Sequence, residues 1–372
     1  MSTPMMRALA AAIAAKTPVL IWGEPGVGKT ATIEKQFSQR WGFHVETIIG
    51  SLREATDFLG LPIETDGEVH YSTPAWTHRL NAAQGPALLY LDELTSCATT
   101  VRKAMLRVVQ ERQVGETWLG DNVSIVASAN PVDSAVDGWE LAPPEANRFM
   151  HLDWHFNADQ WLEGLVMGFD NTSVEPFTSM VGAGDTHSLV SASALIATFV
   201  EHNRMLLNPG PPADQVQAGL AWASPRSWHN AARVLGHLRP GDDDAALLVI
   251  AGCVGKAAAT SFFAWRATMD LVDPALVLAD PNAVKWGTER PDRLYVLCRS
   301  LAAIAVAEGT RQVWTQAARA LTVCAESGKV DVALPSVRTL LTHMPADATV
   351  PDRMRNAFAD LLGRAGRWAV AA

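Results

Sequence analysis

Residues 23–30 read Gly23-Glu24-Pro25-Gly26-Val27-Gly28-Lys29-Thr30, and the four residues before them, Val19-Leu20-Ile21-Trp22, are all apolar. This is G-x-x-x-x-G-K-[ST] at the end of a buried strand, with a helical pattern after it. The spacing has a chemical reason. Small residues let backbone N–H groups curl round a phosphate, and the helix that starts here turns its positive end toward that anion. Lys29 reaches the outer phosphates of a nucleotide, and the Thr30 hydroxyl is a ligand for a magnesium ion. With Ala31 behind it, the loop is the candidate nucleotide-binding segment. A plain glycine turn is the alternative, and the flanking strand and helix weigh against it.

Outward from this loop, short apolar runs alternate with helical patterns, which predicts strands alternating with helices and a mainly parallel sheet. Candidate strands lie at 19–22, 43–49, 87–92, 123–129 and 150–154. Beyond Phe156 the strand signals fade and stretches rich in Ala, Leu and Val at helical spacing take over. Clusters of Pro, Gly and Asp predict loops at 208–212, 239–243 and 273–291. The expected organisation is an α/β domain over 1–156, a helical lid over 157–268 and a helical extension over 269–372.

The run Leu88-Leu89-Tyr90-Leu91-Asp92-Glu93 is apolar and ends in two acids, as a buried strand does when it opens on a ligand crevice. Asp92 is the candidate metal-holding carboxylate beside Thr30, and Glu93 the candidate base that orients and deprotonates an attacking water. The next strand ends in Asn130-Pro131, where a side-chain amide positions a water or touches a phosphate, or simply starts a turn. Arg148, in a short helical segment before the fifth strand, is either a cation for a transferring phosphoryl group across a subunit contact or a helix C-terminal arginine. Ser224-Pro225-Arg226 reads as N-cap, first helical position and a cation at the unfavourable end of the dipole, which calls for an anion, phosphate or carboxylate.

The bulk numbers narrow the classes. A formal charge of −9 over 372 residues gives no overall footprint for nucleic acid. Cys97, Cys253, Cys298 and Cys324 lack the short spacing of a zinc or redox motif, so a reducing cytoplasm is expected. The stretch from Arg7 through Ala8–Ala15 has the look of a secretion signal, yet it runs straight into the phosphate loop, which argues against cleavage there. The apolar segment 245–265 is interrupted by Lys256 and reads as a buried helix rather than a membrane span.

Taken together, residues 23–30, the stretch 88–115, Ala129-Asn130-Pro131, Asn147-Arg148-Phe149 and Ala223-Ser224-Pro225-Arg226-Ser227 resemble the AAA+ superfamily, and within it the MoxR family. Gln110-Glu111-Arg112-Gln113-Val114 after a long helix carries the MoxR likeness, which covers roughly residues 5–240. The chain departs from the usual pattern at Thr95-Ser96-Cys97-Ala98 and at Asn147. The resemblance implies an AAA+ P-loop core with a five-stranded parallel sheet, ATP and Mg²⁺ as cofactors, Walker A at Gly23 to Thr30, Walker B at Asp92 and Glu93, sensor 1 at Asn130, an arginine finger at Arg148 and sensor 2 at Arg226. It also implies a six-membered ring that remodels a protein client, often with a partner carrying a von Willebrand factor A domain. A DNA-associated motor and an ATP-gated scaffold are the competing readings. Hairpins are expected over 59–76, turning at Asp66-Gly67, and over 114–123 with Trp118, lining a pore or lying on the surface. On the helix near 99–111, Val101, Ala104, Met105 and Val108 should face the sheet, with Arg102, Lys103, Arg107 and Glu111 outward.

Overall fold

The computed structural model describes residues 3–131, 140–169, 175–269 and 272–359. Its strands are β1 Val19–Trp22, β2 His44–Ile49, β3 Leu61–Thr65, β4 Glu68–Ser72, β5 Ala87–Asp92, β6 Gln113–Val114, β7 Thr117–Trp118, β8 Val123–Ala129 and β9 Met150–Asp153. Five of them form one sheet in the order β2-β5-β8-β1-β9, with every pairing parallel. β1, β5 and β8 are buried at every position, which explains why they read as unbroken apolar runs rather than alternating ones. Because β5, β8 and β1 are neighbours, the segments that leave their C-terminal ends emerge side by side.

Helices cover the sheet. The alanine-rich helix Thr3–Ala14, the stretch that resembles a secretion signal, has Ala8, Leu9, Ala10, Ala11 and Ala12 fully buried and packs on Pro225–Leu235, Asp243–Val254, β1 and β9. Thr99–Glu111 buries Val101, Ala104, Met105 and Val108 as expected, but Leu106, Val109 and Arg102 as well. Arg102 is not outward: it is 7% exposed, and its Nε lies 3.6 Å from a carboxylate oxygen of Glu145. Residues 141–149 fold back over that side of the helix, contributing Leu141, Ala146 and Phe149 to the same core.

The segment 245–265 is two helices, Asp243–Val254 and Lys256–Ala267, because Gly255 takes φ 85° and a Cβ there would stand 2.7 Å from the Ala221 carbonyl oxygen. Among the described residues no helix is long and apolar enough to cross a membrane. Both hairpins form. β3 and β4 pair antiparallel across Asp66 and Gly67, both at positive φ, and β6 pairs with β7 over a shorter span than expected. Their aromatic residues are exposed, Tyr71 at 46% and Trp118 at 63%.

By its contacts the chain divides into two compact units, residues 1–183 with 205–260, and residues 184–204 with 261–372. The second unit is helical, built on Thr186–His202, Pro291–Glu308, Arg311–Cys324 and Val330–Thr342. Its core surrounds Trp314, fully buried, whose indole donates to the Leu340 carbonyl at 2.9 Å. The expected loop 273–291 holds a short helix, Pro274–Ala279, and a 3-10 turn, Pro281–Ala283, because Asp273 and Asp280 cap them. All four cysteines are free and buried. Residues 360–372 of the expected C-terminal extension lie outside the described residues.

Candidate active site

The phosphate loop owes its shape to two glycines in the left-handed region, Gly26 at φ 78° and Gly28 at φ 83°, the latter standing at the N-cap of Lys29–Lys35. Gly23 is enclosed: a Cβ there would lie 3.0 Å from the Trp154 Cβ and 3.2 Å from the Lys29 Cδ. Glu24, Pro25, Gly26, Gly28 and Ala31 are exposed, and Val27 and Thr30 partly so. Lys29 is buried. Its ammonium donates to the carbonyl oxygens of Gly23 at 2.5 Å and Glu24 at 3.0 Å and to Oδ1 of Asn130 at 2.9 Å. Burial lowers its pKa, while Asp92, Glu24 and Glu93 push back by favouring the charged form. Asn130, expected to position a water, touch a phosphate or start a turn, has its amide in contact with the loop cation.

Asp92 and Glu93 arrive at the same place from β5. Thr30 Oγ1 donates to Oδ2 of Asp92 at 2.5 Å, so two hard oxygen atoms, of the kind that could hold magnesium, stand together. The other carboxylate oxygen accepts from the Ser128 hydroxyl and from the Glu93 backbone N–H, the latter at 3.0 Å. Tyr90 donates to Ser128 at 2.9 Å, and burial, then the nearby Asp92 charge, raise its pKa. Glu93 has φ 60°, unusual for a residue with a side chain, and its carboxylate accepts a hydrogen bond from Ser51.

Ser51, Ser128 and Tyr90 were not among the residues expected from sequence. Ser128 and Tyr90 could have been found as polar interruptions of apolar strands. Ser51 could not, because only the sheet order, with β2 beside β5, brings the turn after β2 to Glu93.

The two helper arginines lie elsewhere. Met150 pairs with Val19 and Asp153 with Trp22, so Arg148 precedes β9 at the N-terminal edge of the sheet, whereas Gly23 follows β1 at the opposite edge. The four residues of β1 at about 3.3 Å each separate the two levels by roughly 13 Å or more. Arg148 donates to the Leu106 carbonyl at 3.2 Å and lines a hollow of about 320 Å³ with Lys103, Arg107, Gln110, Glu111 and Glu145. Arg226 is tied to the same side by the N-terminus of its helix. Asn147 donates from its amide nitrogen to the Trp222 carbonyl at 3.0 Å, and its amide oxygen accepts from Ser224, the N-cap of Pro225–Leu235, at 2.7 Å. Burial, and then the charge of Arg226, lower the pKa of Arg148. The structure therefore brings together Lys29, Thr30, Asp92, Glu93 and Asn130, and separately brings together Arg148 and Arg226.

Residues 18–149 match the family model described as AAA domain, dynein-related subfamily. That segment is an AAA domain, and the sheet and loop are those of the AAA+ P-loop ATPases. No curated protein matches the chain in sequence. Among solved structures, a Cytophaga hutchinsonii protein provisionally named an ATPase aligns at 16% identity and a TM-score of 0.48, over 70% of this chain and 88% of its own.

Proposed function

We propose that this chain is a magnesium-dependent ATP hydrolase of MoxR-like type, working in the cytoplasm as a ring, six-membered by resemblance, that remodels a protein client. Lys29 and the loop N–H groups would hold the outer phosphates, Thr30 and Asp92 would hold the metal, and Glu93 would take a proton from the attacking water while Asn130 orients it. The metal, when bound, offsets charge on the phosphate oxygens. The observation that carries the ring is the separation of the two clusters. A guanidinium reaches about 7 Å from its backbone at the chain's bond lengths, so Arg148 does not span roughly 13 Å of sheet to its own loop, and the Arg226 charge acts on Arg148. Both suit a neighbour's triphosphate. Two adjacent cations, one of them in the first turn of a helix, are stabilised by such an anion.

The exposed hairpins β3–β4 and β6–β7, with Tyr71 and Trp118 outward, would supply the surface that grips a client or a partner with a von Willebrand factor A domain. Calorimetry with Mg-ATP and steady-state turnover test the hydrolase. The parent should bind, Lys29→Ala should not, and Glu93→Gln should bind but lose turnover by two or more orders of magnitude, on the order of a lost general base. Rapid hydrolysis by Glu93→Gln would remove it as the base. Chains that co-purify with Glu93→Gln in ATP would identify the client.

A further inference from the structure

A line of hydrogen bonds, joined by chain neighbours in two places, runs inside the first unit from the residue before the phosphate loop to the paired arginines. Trp22 closes β1 and stands directly before Gly23. Its indole donates to Nδ1 of His151 at 2.8 Å, with the two rings nearly parallel at 19°. Nε2 of His151 donates to the Ala146 carbonyl at 2.9 Å, since the indole already occupies the other nitrogen as an acceptor. Ala146 ends the Pro143–Ala146 helix, and the next two residues are Asn147 and Arg148. Asn147 then holds Trp222 and Ser224, two residues from Arg226.

His151 has little room to give way. It is 7% exposed, and on its backbone side Gly252 lies so close that a Cβ would stand 2.2 Å from the His151 carbonyl oxygen. Only a neutral imidazole can accept from Trp22 and donate to Ala146 at once, and burial, which drives its pKa down to about 4, keeps it in that form. Beside the first member of the line stands the Lys29 ammonium, whose three acceptors include the Gly23 carbonyl. The Lys29 ammonium now donates to the Gly23 carbonyl, and a triphosphate in the loop competes for the same N–H groups. Gly23 adjoins Trp22, so exchange of that bond acts on the first member of the line.

We infer that His151 is a positioning residue that couples the nucleotide state of a subunit's own phosphate loop to the stance of Arg148 and Arg226, the pair it offers to its neighbour. The inference rests on the function proposed above. A histidine that merely satisfied the core would change stability and nothing that passes between subunits.

The test uses the full chain with His151→Phe, which keeps bulk and breaks both bonds, and His151→Gln, whose amide restores an acceptor and a donor. Binding of a non-hydrolysable ATP analogue should stay within about twofold, while turnover of the assembled His151→Phe protein falls about tenfold or more and its Hill coefficient drops toward one. His151→Gln should recover most of both. In a second arm, subunits carrying Glu93→Gln, which bind nucleotide and offer arginines without turnover of their own, are mixed into the parent, and adding His151→Phe to them should depress the neighbours' hydrolysis further. Trp22→Phe breaks the same line and should reproduce the pattern if His151→Phe does not fold. Parent-like turnover and cooperativity in assembled His151→Phe, a fall explained wholly by weaker nucleotide binding, or no recovery with Gln would each overturn the coupling. Failure of the parent to hydrolyse ATP, or full turnover by assembled Arg148→Ala, would instead bring down the proposed function.

Discussion

His151 makes a definite demand on pH. Its folded pKa of about 4 lies below the ordinary 6.5, so between those values the unfolded chain takes up a proton that the folded chain refuses. Stability is therefore full above about pH 6.5, declines as pH falls toward 4, and changes no further from this group below that. At about 1.4 kcal/mol per unit, the interval corresponds to on the order of 3 kcal/mol. Urea unfolding at pH 7.5 and 4.5 measures it. His151→Gln carries no such proton and should lose distinctly less over the same interval, whereas equal losses in the two proteins would show that the imidazole is not held neutral. At this scale the sequence made some residues plain and hid others. The meeting of Lys29, Thr30, Asp92 and Glu93 was legible because phosphate and metal chemistry ties residue type to spacing within single segments. His151 and Ser51 were not, since each acts through a partner more than forty positions away in the chain: His151 through Trp22, Ser51 through Glu93.

Elements were legible where one physical signal dominated. β1, β5 and β8 coincide with their predicted bounds because a buried parallel strand is apolar throughout and stops at turn chemistry. Periodicity misled on Thr99–Glu111, where Arg102 falls on what reads as the polar face but is covered by the fold-back at 141–149, a tertiary event with no local mark. It also ran two helices together at 245–265, since a glycine in a small-residue run does not reveal whether its φ is positive. Gly252 and Gly255 hold the key to that region. Asp243–Val254 packs on β9, and at Gly252 a Cβ would stand 2.2 Å from the His151 carbonyl oxygen, so Gly252→Ala must push the helix off the sheet edge. Overpacking of this kind costs about 1–3 kcal/mol. Gly85→Ala is the control, with nothing within 4 Å of its added Cβ and no left-handed backbone. Thermal unfolding should show a clear drop for Gly252→Ala and almost none for Gly85→Ala. Equal midpoints would mean that the helix and β9 are not in the described contact.

For the whole molecule, the sequence named the residues of both clusters but not that they form two, because strand order and the Asn147–Ser224 bond are products of tertiary folding. That separation makes a prediction about assemblies that no single chain can satisfy. A Lys29→Ala subunit lacks the loop cation but keeps Arg148 and Arg226. An Arg226→Ala subunit keeps the whole phosphate site and lacks one arginine. Each protein alone should be nearly inactive, since loss of a cation at a transferring phosphoryl group costs about 10³ to 10⁵ in rate. Mixed, they place intact phosphate sites beside intact arginine pairs, and ATP turnover should reappear as the ratio of the two is varied, with a maximum between the pure proteins. Were Arg226 to serve the phosphates of its own subunit, no site in the mixture would be complete, and turnover would stay at the sum of the two parts. The same mixture made with Arg148→Ala should behave alike, because Asn147 and Ser224 hold the two arginines as neighbours on one edge of the sheet.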